Sequence, residues 1–537
     1  MDDWQDRVSA MSGSSPFNLA ITKIAARAEK RDAELLRETF VESGVGEQLD
    51  TIDHQVLYGR RGTGKTHAVT FLASEVRTRG DIAINIDLRT IGSGEGLFGP
   101  DPTPITQRAS RLLVDLLIQV REGFENAYLE DESLIAEDMF VTRLDELLVA
   151  ITNVQVNGEV EQSVETEQKD ARKNGGALKV GINPKPSAEV SFTEEQSQEG
   201  RNLLRETRRG AEKIHLNFGD VARALRALAK TLSSRRIWLI LDEWSSVPRE
   251  VQPYLAEFLL RCVFPLQAFT VKITAIEQQS SFRVQVDGNT IGFELGADVS
   301  ATLALDDFLV FERNEEYARD FFVNLFFKHL TADSDDIPKV EGLELPKDVI
   351  KLGFTDVRAF DELVMAAEGV PRDAIYIVRR AAIRSRQNLI SVPSVREAAR
   401  YWYQTDKSAA IASNIEANRL LRWIIEKVIR EKKARGFLVN EAYAQNPVLL
   451  ALFDARILHV VRRGYSAQDQ PGERFDVWVI DYGAYVDLIS TVSAPQGLLP
   501  FDDVDGSEGF IDIDVPVQDL RAIRRAILDI EEFTASA

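Results

Sequence analysis

Apolar and polar positions in the first 310 residues alternate between two periods. Short, continuous apolar runs are typical of strands buried on both faces, and they occur at 55–58, 82–88, 237–241 and 270–276. Segments with helical spacing lie around and between these runs, at 67–79, 105–124, 142–152, 221–232 and 253–264. This alternation predicts one α/β domain, over about residues 46–310, with a parallel sheet and crossover helices.

Two segments depart from the alternation. Residues 1–45 carry a helical pattern over 18–44, which predicts a helical lead-in that packs on the following domain. Residues 155–209 mix charge, glycine and proline, and we interpret them as an insertion. Two short alternating stretches, 177–182 and 188–192, indicate one β-hairpin within it. A surface excursion is the plainer interpretation of this insertion, and a dedicated binding arm is the alternative.

Beyond about residue 311 the strand pattern stops and helical patterns follow. Helices are expected at 317–330, 349–352, 356–368 and 372–386, which indicates an all-helical domain over 311–410. From 415 a long helix to 433 and a short one at 448–453 precede two β runs, 457–462 and 475–480, joined by a polar segment. Helices followed by such a hairpin are the plan of a winged-helix domain, here 415–495. The remainder, 496–537, is acidic and carries an amphipathic helical pattern at 517–533.

Charge and cysteine content narrow the classes of function. The 85 acidic residues against 64 Lys and Arg give a net charge of −21, so any contact with nucleic acid must be local. The single cysteine, Cys262, excludes an internal disulfide framework and fits a reducing compartment. The start has no cationic region before an apolar core, and we therefore expect a cytoplasmic protein without membrane contact.

A phosphate-binding loop is the strongest chemical signal. Every fixed position of the eight-residue P-loop pattern is matched after a predicted strand and before a helix, by Gly59, Arg60, Arg61, Gly62, Thr63, Gly64, Lys65 and Thr66. Inward-pointing N–H groups and the helix N-terminus favour anionic phosphate. Lys65 is expected on the β- and γ-phosphates and Thr66 on Mg²⁺, with His67 beside them. The loop predicts that ATP and Mg²⁺ bind.

An acidic pair ends the apolar run 237–241. Alone, Asp242 and Glu243 would be weak evidence, because apolar strands often end in acids where the chain emerges into water. After a P-loop, the carboxyl edge of such a strand lies beside the phosphates. Asp242 is then expected to hold Mg²⁺, and Glu243 to act as general base toward water.

These motifs resemble those of one family. The segments GRRGTGKTH, ILDEW, GVPRDA and DYGAYVDL together resemble the origin-recognition-type initiator ATPases, which are AAA+ proteins with a C-terminal winged helix. The resemblance implies an α/β AAA+ base, a helical lid and a winged-helix domain. It also implies that Arg372, at the start of a lid helix, reaches back to the γ-phosphate.

Two functional positions of that family are not fixed by this sequence. The family places a small polar sensor after its fourth core strand, where this chain has Glu277 and Gln278. The resemblance also implies an arginine finger donated by a neighbouring subunit, with Arg261, Arg283 and Arg313 as candidates, of which we favour Arg283. A finger in trans implies a homo-oligomer formed with ATP.

Basic residues of the predicted winged helix are candidates for double-stranded DNA contacts. They are Arg430, Lys432, Lys433, Arg462 and Arg463. Glutamates between these residues favour the alternative of a solvated helix. Winged helices also contact proteins, so DNA binding does not follow from the fold alone. We expect an ATP-hydrolysing switch associated with DNA. The alternative is a signalling or scaffold ATPase, in a defence or mobile-element system for instance, with a protein partner on the winged helix, the insertion or the acidic tail.

Overall fold

The structure is a computed structural model, which describes most of the chain. The described residues are 14–27, 33–92, 104–131, 139–152, 154–164, 204–214, 216–232, 235–299, 301–305, 314–333, 336–431, 434–466, 473–489, 523 and 526–536. Among these residues, no helix is both long enough and apolar enough to cross a membrane.

A parallel five-stranded sheet forms the centre of the base. Its strands are β1 Gln55–Tyr58, β2 Ile82–Asp87, β5 Ile237–Asp242, β6 Phe269–Ala275 and β9 Ala301–Ala304. They lie side by side in the order β2-β5-β6-β1-β9, and every neighbouring pair is parallel. The predicted α/β class with a parallel P-loop sheet is confirmed. The sequence did not predict β9, which adds an edge strand beside β1.

Helices cover both faces of this sheet. On one face lies α4, Lys65–Thr78, which buries Val69, Leu72 and Val76 against β1 and β5. The opposite face carries α5 Ile105–Glu130, α6 Phe140–Thr152, α7 Phe218–Thr231 and α8 Gln252–Phe258, with a π-helical turn Leu259–Val263. Strand β5 is buried at every position, because both of its faces are covered.

Two antiparallel hairpins extend from the base. Strands β3 Val154–Val164 and β4 Leu204–Ile214 pair in register from Val154 and Ile214 to Val164 and Leu204. They form the two ends of the predicted insertion, so a hairpin does occur there. The stretches 177–182 and 188–192, where the sequence predicted it, lie outside the described residues. The second hairpin joins β7 Arg283–Val286 to β8 Asn289–Gly292.

The remaining helices belong to the lead-in, the lid and the C-terminal part. In chain order they are α1 Pro16–Lys23, α2 Ala33–Thr39, α3 Val45–Leu49, α9 Glu315–Thr331, α10 Asp348–Gly353, α11 Val357–Ala367, α12 Pro371–Ser385, α13 Val392–Trp402, α14 Ser408–Ala410, α15 Ile415–Trp423, α16 Pro447–Asp454, α17 Tyr482–Ile489 and α18 Ile530–Ala535. Between α13 and α14, and after α15, the helices continue as π-helical turns over Tyr403–Lys407 and Ile424–Arg430.

The C-terminal domain, residues 415–489, contains a three-stranded antiparallel sheet. Its strands are β10 Gly436–Asn440, β11 Leu458–Ser466 and β12 Arg474–Ile480, with β12 in the centre. Helix α15 precedes β10, and α16 lies between β10 and β11. Apolar residues of these helices and strands are buried in one core with those of the lid helices, so the lid and the C-terminal domain pack as one body.

Two terminal segments pack differently from the predictions. In the lead-in, α1 buries Phe17 and Ile21 in the core of the lid, whereas α2 and Phe40 pack on α4 of the base as expected. In the tail, the predicted helix 517–533 is wrong over 526–529, which is extended. There the N–H of Leu438 donates to the carbonyl of Ala526, and that of Leu528 donates to Leu438. This segment is extended because the edge of β10 offers backbone N–H and carbonyl groups with which it forms hydrogen bonds. The helix begins only at Ile530.

Candidate nucleotide site

The phosphate-binding loop is shaped by its glycines. Gly62 and Gly64 have φ angles of 91° and 99°, in the left-handed region that side chains rarely adopt. Lid residue Arg372 approaches Gly62 closely, because a Cβ on Gly62 would lie 2.8 Å from the Cβ of Arg372. The N–H of Arg372 also donates to the Gly62 carbonyl at 3.2 Å. The start of lid helix α12 therefore rests directly on the loop.

Lys65 is held in place by the loop itself. Its Nζ donates to the carbonyl of Gly59 at 2.7 Å and to that of Arg60 at 3.1 Å. The Arg60 carbonyl also accepts a hydrogen bond from the Thr63 hydroxyl at 2.9 Å. Lys65 is the first residue of α4, so its ammonium lies at a helix N-terminus, where an anion is favoured.

Thr66 and Asp242 meet at the carboxyl end of β5. The Thr66 hydroxyl donates to Oδ2 of Asp242 at 2.8 Å, and Asp242 is buried. A hydroxyl and a carboxylate are oxygen ligands of the kind that Mg²⁺ takes in nucleotide sites. The two residues fit the predicted metal position, because separate elements bring their oxygens to one point.

Thr274, on the neighbouring strand β6, is a site residue that the sequence analysis missed. Its hydroxyl donates to Oδ1 of Asp242 and accepts from the N–H of Glu243 at 3.0 Å. The signal for it was a polar residue within the apolar run 270–276, on the strand beside β5. Thr274 fixes the carboxylate of Asp242 and the turn that follows it.

Glu243 sits in a strained turn. Its φ of 60° places a non-glycine residue in the left-handed region, which is uncommon and is concentrated at functional sites. The N–H of Glu243 also donates to Oδ1 of Asp242 at 3.0 Å.

Arg372 fits an anionic ligand. Its Nε is buried and has no hydrogen-bond partner among the described residues. A buried polar group without a partner is costly, and a phosphate oxygen would satisfy it. The ideal Cβ position on Gly62 is only 3.3 Å from this Nε, so the group lies against the loop.

The sensor candidates lie at the opposite end of the loop. Glu277 and Gln278 form a short 3-10 turn after β6, and with Tyr58 they line a small cleft beside the loop. Glu277 is exposed and lies 3.8 Å from Arg463 of the C-terminal domain. Burial, with the charge of Glu277, raises the pKa of Tyr58 far above its usual range, so this phenol stays protonated.

Three further residues of the predicted site have other neighbours. His67 donates from Nε2 to the carbonyl of Leu36 at 2.5 Å, and it contacts the ring of Phe40 edge-on. Arg61 is exposed. Arg60 is buried and its side chain points into the C-terminal domain.

The finger candidates form ion pairs within the chain. Arg283 lies 2.9 Å from Glu294, and Arg261 pairs with Glu257 in the same helical segment. Arg283 is partly exposed, on the hairpin that extends from the base. Arg313 lies outside the described residues.

The candidate DNA contacts are scattered over the C-terminal domain. Arg462 is exposed and lies near the ring of Tyr465, whereas Arg463 faces Glu277 of the base. Arg430 is half-buried in the turn after α15. Lys432 and Lys433 lie outside the described residues. Helix α16, which precedes the β11–β12 hairpin, carries no Lys or Arg, and its last residues contact the base.

Comparison with known proteins adds little. No family model matches the sequence, and no curated protein does. Among solved structures, the fold is similar to that of the ORC1 protein of Aeropyrum pernix in complex with DNA. The two share 13% sequence identity, the match covers 85% of this chain and 92% of the other, and the TM-score is 0.28.

Proposed function

We propose that this chain is a Mg²⁺-dependent ATPase that works as a nucleotide-dependent assembly switch. One observation supports this most: Lys65, Thr66 and Asp242 converge at the start of α4, with the unpartnered Nε of Arg372 facing the same loop. Such a set matches the charges of a nucleoside triphosphate with its metal.

Each side chain has a separate task in this proposal. Thr66 and Asp242 would hold Mg²⁺, which supplies charge neutralisation between the β- and γ-phosphates when bound. Lys65, oriented by two loop carbonyls, binds phosphate oxygen. Glu243 orients water and accepts its proton. Arg372 binds the γ-phosphate from the lid, so the position of the lid responds to the nucleotide.

Assembly is part of the proposal. Arg283 lies on the β7–β8 hairpin, where its partly exposed guanidinium would be available to a neighbouring copy after leaving Glu294. A finger supplied in trans would complete the site only in an ATP-bound homo-oligomer. Turnover per subunit would then rise with protein concentration.

Double-stranded DNA is the first candidate for the partner of the switch. Arg462 and Arg430 of the C-terminal domain would neutralise phosphates. A protein partner is the second candidate, and a specific observation favours it. Helix α16 carries no Lys or Arg, so it offers no cation to DNA phosphates.

Two variants test the ATPase. Lys65→Ala should weaken ATP binding, because it removes the charge that meets the phosphates, whereas Glu243→Gln should retain binding and lose turnover. Calorimetric ATP binding and phosphate release measure the two effects. The exposed residues Lys230 and Glu130 provide matched controls as Lys230→Ala and Glu130→Gln. Equal loss of binding in Lys65→Ala and Glu243→Gln would refute the separate roles.

Salt dependence separates the two partners. A labelled DNA duplex should bind with an affinity that falls steeply between 50 and 200 mM salt, since phosphate contacts release counterions; the drop is roughly tenfold or more for a few contacts. Arg462→Ala should reduce this slope. If the chain does not bind DNA at low salt, a protein becomes the favoured partner of the C-terminal domain.

A further inference from the structure

We infer that the C-terminal domain positions the nucleotide site, by holding the phosphate-binding loop through Arg60 and the start of the lid helix through Asp373. The inference rests on the proposed ATP site and deepens it, because it assigns residues remote from the nucleotide to the control of ATP affinity.

Arg60 carries the first connection. It is the second residue of the loop, and its side chain is only 3% exposed. One nitrogen, Nη1, lies 2.9 Å from Nδ1 of His459, and the guanidinium lies over the ring of Phe453, 4.6 Å from its centroid. The carbonyl of the same Arg60 accepts a hydrogen bond from Lys65. A side chain anchored in another domain therefore holds the backbone group that orients Lys65.

The protonation of His459 suits this contact. Arg60 can only donate, so Nδ1 of His459 accepts and the ring proton lies on Nε2. That Nε2 faces Asp481 at 3.4 Å. Burial first, and then the charge of Arg60, lower the pKa of His459 to about 3, so the ring stays neutral near pH 7. His459 thus remains an acceptor for Arg60 at physiological pH.

Asp373 carries the second connection. It directly follows Arg372 in the first turn of α12 and is fully buried. Arg456, from the segment between α16 and β11, donates to it, and Nζ of Lys407 lies 3.1 Å from its other oxygen. Because Arg372 lies against Gly62, the contact that fixes Asp373 also fixes the residue expected on the γ-phosphate.

Lys407 joins the two connections into one network. Its Nζ lies 2.5 Å from Asp481, which faces His459, and 3.1 Å from Asp373. We call the set Arg60, Asp373, Lys407, Arg456, His459 and Asp481 the junction network. Its members come from the loop, the lid and the C-terminal domain, so docking of that domain sets both sides of the nucleotide site.

A metal site is the competing explanation for part of this cluster. Ligand atoms of Glu368, His459 and Asp481 all lie within 4.8 Å of one another, and the residues are buried. Cations already occupy the carboxylates, since Arg435 pairs with Glu368 and Lys407 with Asp481. Another cation would be repelled there, so the geometry favours an ion-pair network.

Thermodynamic linkage makes the coupling between docking of the C-terminal domain and ATP binding reciprocal. If docking favours ATP binding, then ATP must favour docking by the same factor. The lid and the C-terminal domain share one core, whereas polar contacts such as Arg60 to His459 and Gln279 to Asp454 join them to the base. Movement between these two bodies is therefore the step that nucleotide controls.

The test measures the affinity of the full chain for ATP with Mg²⁺. His459→Ala should raise the Kd for ATP about fivefold or more, in the usual range of coupling between sites. His459→Asn, which keeps an acceptor, should recover most of the affinity. The double variant Arg60→Ala with His459→Ala should match Arg60→Ala alone, since His459 acts on the loop through Arg60. Val439→Ala, in the core of the same domain, controls for lost stability and should leave Kd unchanged.

A crosslink provides a second readout, which loss of stability alone would not produce. Gln279→Cys with Asp454→Cys places thiols at a contact now 3.0 Å long between the base and the C-terminal domain. Burial raises the pKa of Cys262 to about 12, so this native thiol stays unreactive toward a short bis-maleimide near pH 7. ATP with Mg²⁺ should increase the crosslink yield, and His459→Ala should abolish the increase.

The outcomes separate the two proposals. If wild type binds ATP and His459→Ala binds it with equal affinity, the inference is wrong and the ATPase proposal stands. Multiplicative effects of Arg60→Ala and His459→Ala would also overturn the inference. If wild type fails to bind ATP, the proposed function itself fails, and the inference fails with it.

Discussion

The nucleotide site and the junction network use charge in opposite ways. At the nucleotide site, Lys65 donates to two neutral carbonyls of the loop, and the buried Nε of Arg372 has no hydrogen-bond partner among the described residues, so this Nε can still take up a ligand oxygen. In the junction network, Lys407 and Arg456 contact carboxylates directly. The first arrangement is suited to take up an anion. In the second, a cation already lies beside each carboxylate, so it is suited to hold domains in one position.

Removing a carboxylate from the junction network should have the largest effect. Asp481→Ala leaves the ammonium of Lys407 buried beside one carboxylate fewer, and removing one partner of a buried pair costs about 3–5 kcal/mol. The free energy of unfolding from urea titration should fall accordingly. The matched control is Asp487→Ala, whose partly exposed carboxylate accepts a hydrogen bond from Gln404 and whose removal should cost less than about 1 kcal/mol.

Adding a methyl group between the loop and the lid should have the second largest effect. Gly62→Ala combines a left-handed φ of 91° with a contact of 2.8 Å to the Cβ of Arg372, and strain of this kind costs roughly 1–3 kcal/mol. ATP affinity should therefore fall by tenfold or more. Gly342→Ala has a φ of 77° and open space around it, so it isolates the collision from the backbone effect. Unchanged ATP affinity in Gly62→Ala would contradict the packing of the lid on the loop.

Removing the hydroxyl that holds Asp242 and Glu243 should have a smaller effect, on turnover. Thr274→Val keeps the shape but removes the hydroxyl between Asp242 and Glu243, and a hydrogen bond to a charged group contributes about 1.5–3 kcal/mol. The expected result is a turnover about tenfold lower at limiting Mg²⁺, measured by phosphate release. Thr270→Val changes the same buried face of β6 far from Asp242, and it should retain turnover.

The smallest predicted effect is a pH dependence of stability caused by Lys272, a buried cation that contacts only neutral oxygens among its hydrogen-bond acceptors. Lys272 is 1% exposed and donates to three neutral oxygens, the carbonyls of Thr51 and Asp53 at 2.8 and 2.9 Å and the side-chain amide oxygen of Gln55. Burial lowers its pKa to about 7, although Asp53 and Asp50 raise it. The folded state therefore binds fewer protons than the unfolded state above pH 7.

Stability should consequently rise with pH through this group. Between about pH 7 and 8.5 the free energy of unfolding of wild type, relative to Lys272→Met, should increase by roughly 1 kcal/mol. Urea titrations of both proteins at each pH measure the difference. A difference that stays constant, or falls, would mean that Lys272 keeps its proton at higher pH than the burial predicts.

The same contrast explains how much the sequence could predict. The loop, Asp242 and the strands around them are local: glycine is needed for the backbone angles, and a strand buried on both faces is apolar throughout. Gly62 and Ile240 show these rules directly. Spacing along the chain is therefore sufficient to propose the nucleotide site and to predict the class of the sheet.

The junction network has no such local signature. Arg60 and His459 are separated by 399 positions, and neither neighbours residues that mark it as special. Thr274 likewise matters only because β6 lies beside β5. The extended segment at 526–529 follows from the free edge of β10, which outweighs its helical pattern. Contacts of this kind depend on the tertiary arrangement, which a single sequence does not display.

Steady-state ATP hydrolysis tests the central claim most directly. It should be measured for wild type and Glu243→Gln over a range of protein concentrations, with and without Mg²⁺. The account predicts Mg²⁺-dependent turnover in wild type, rising per subunit with concentration, and none in a Glu243→Gln variant that still binds ATP. Equal turnover in the two proteins, or no turnover in wild type at any concentration, would contradict it.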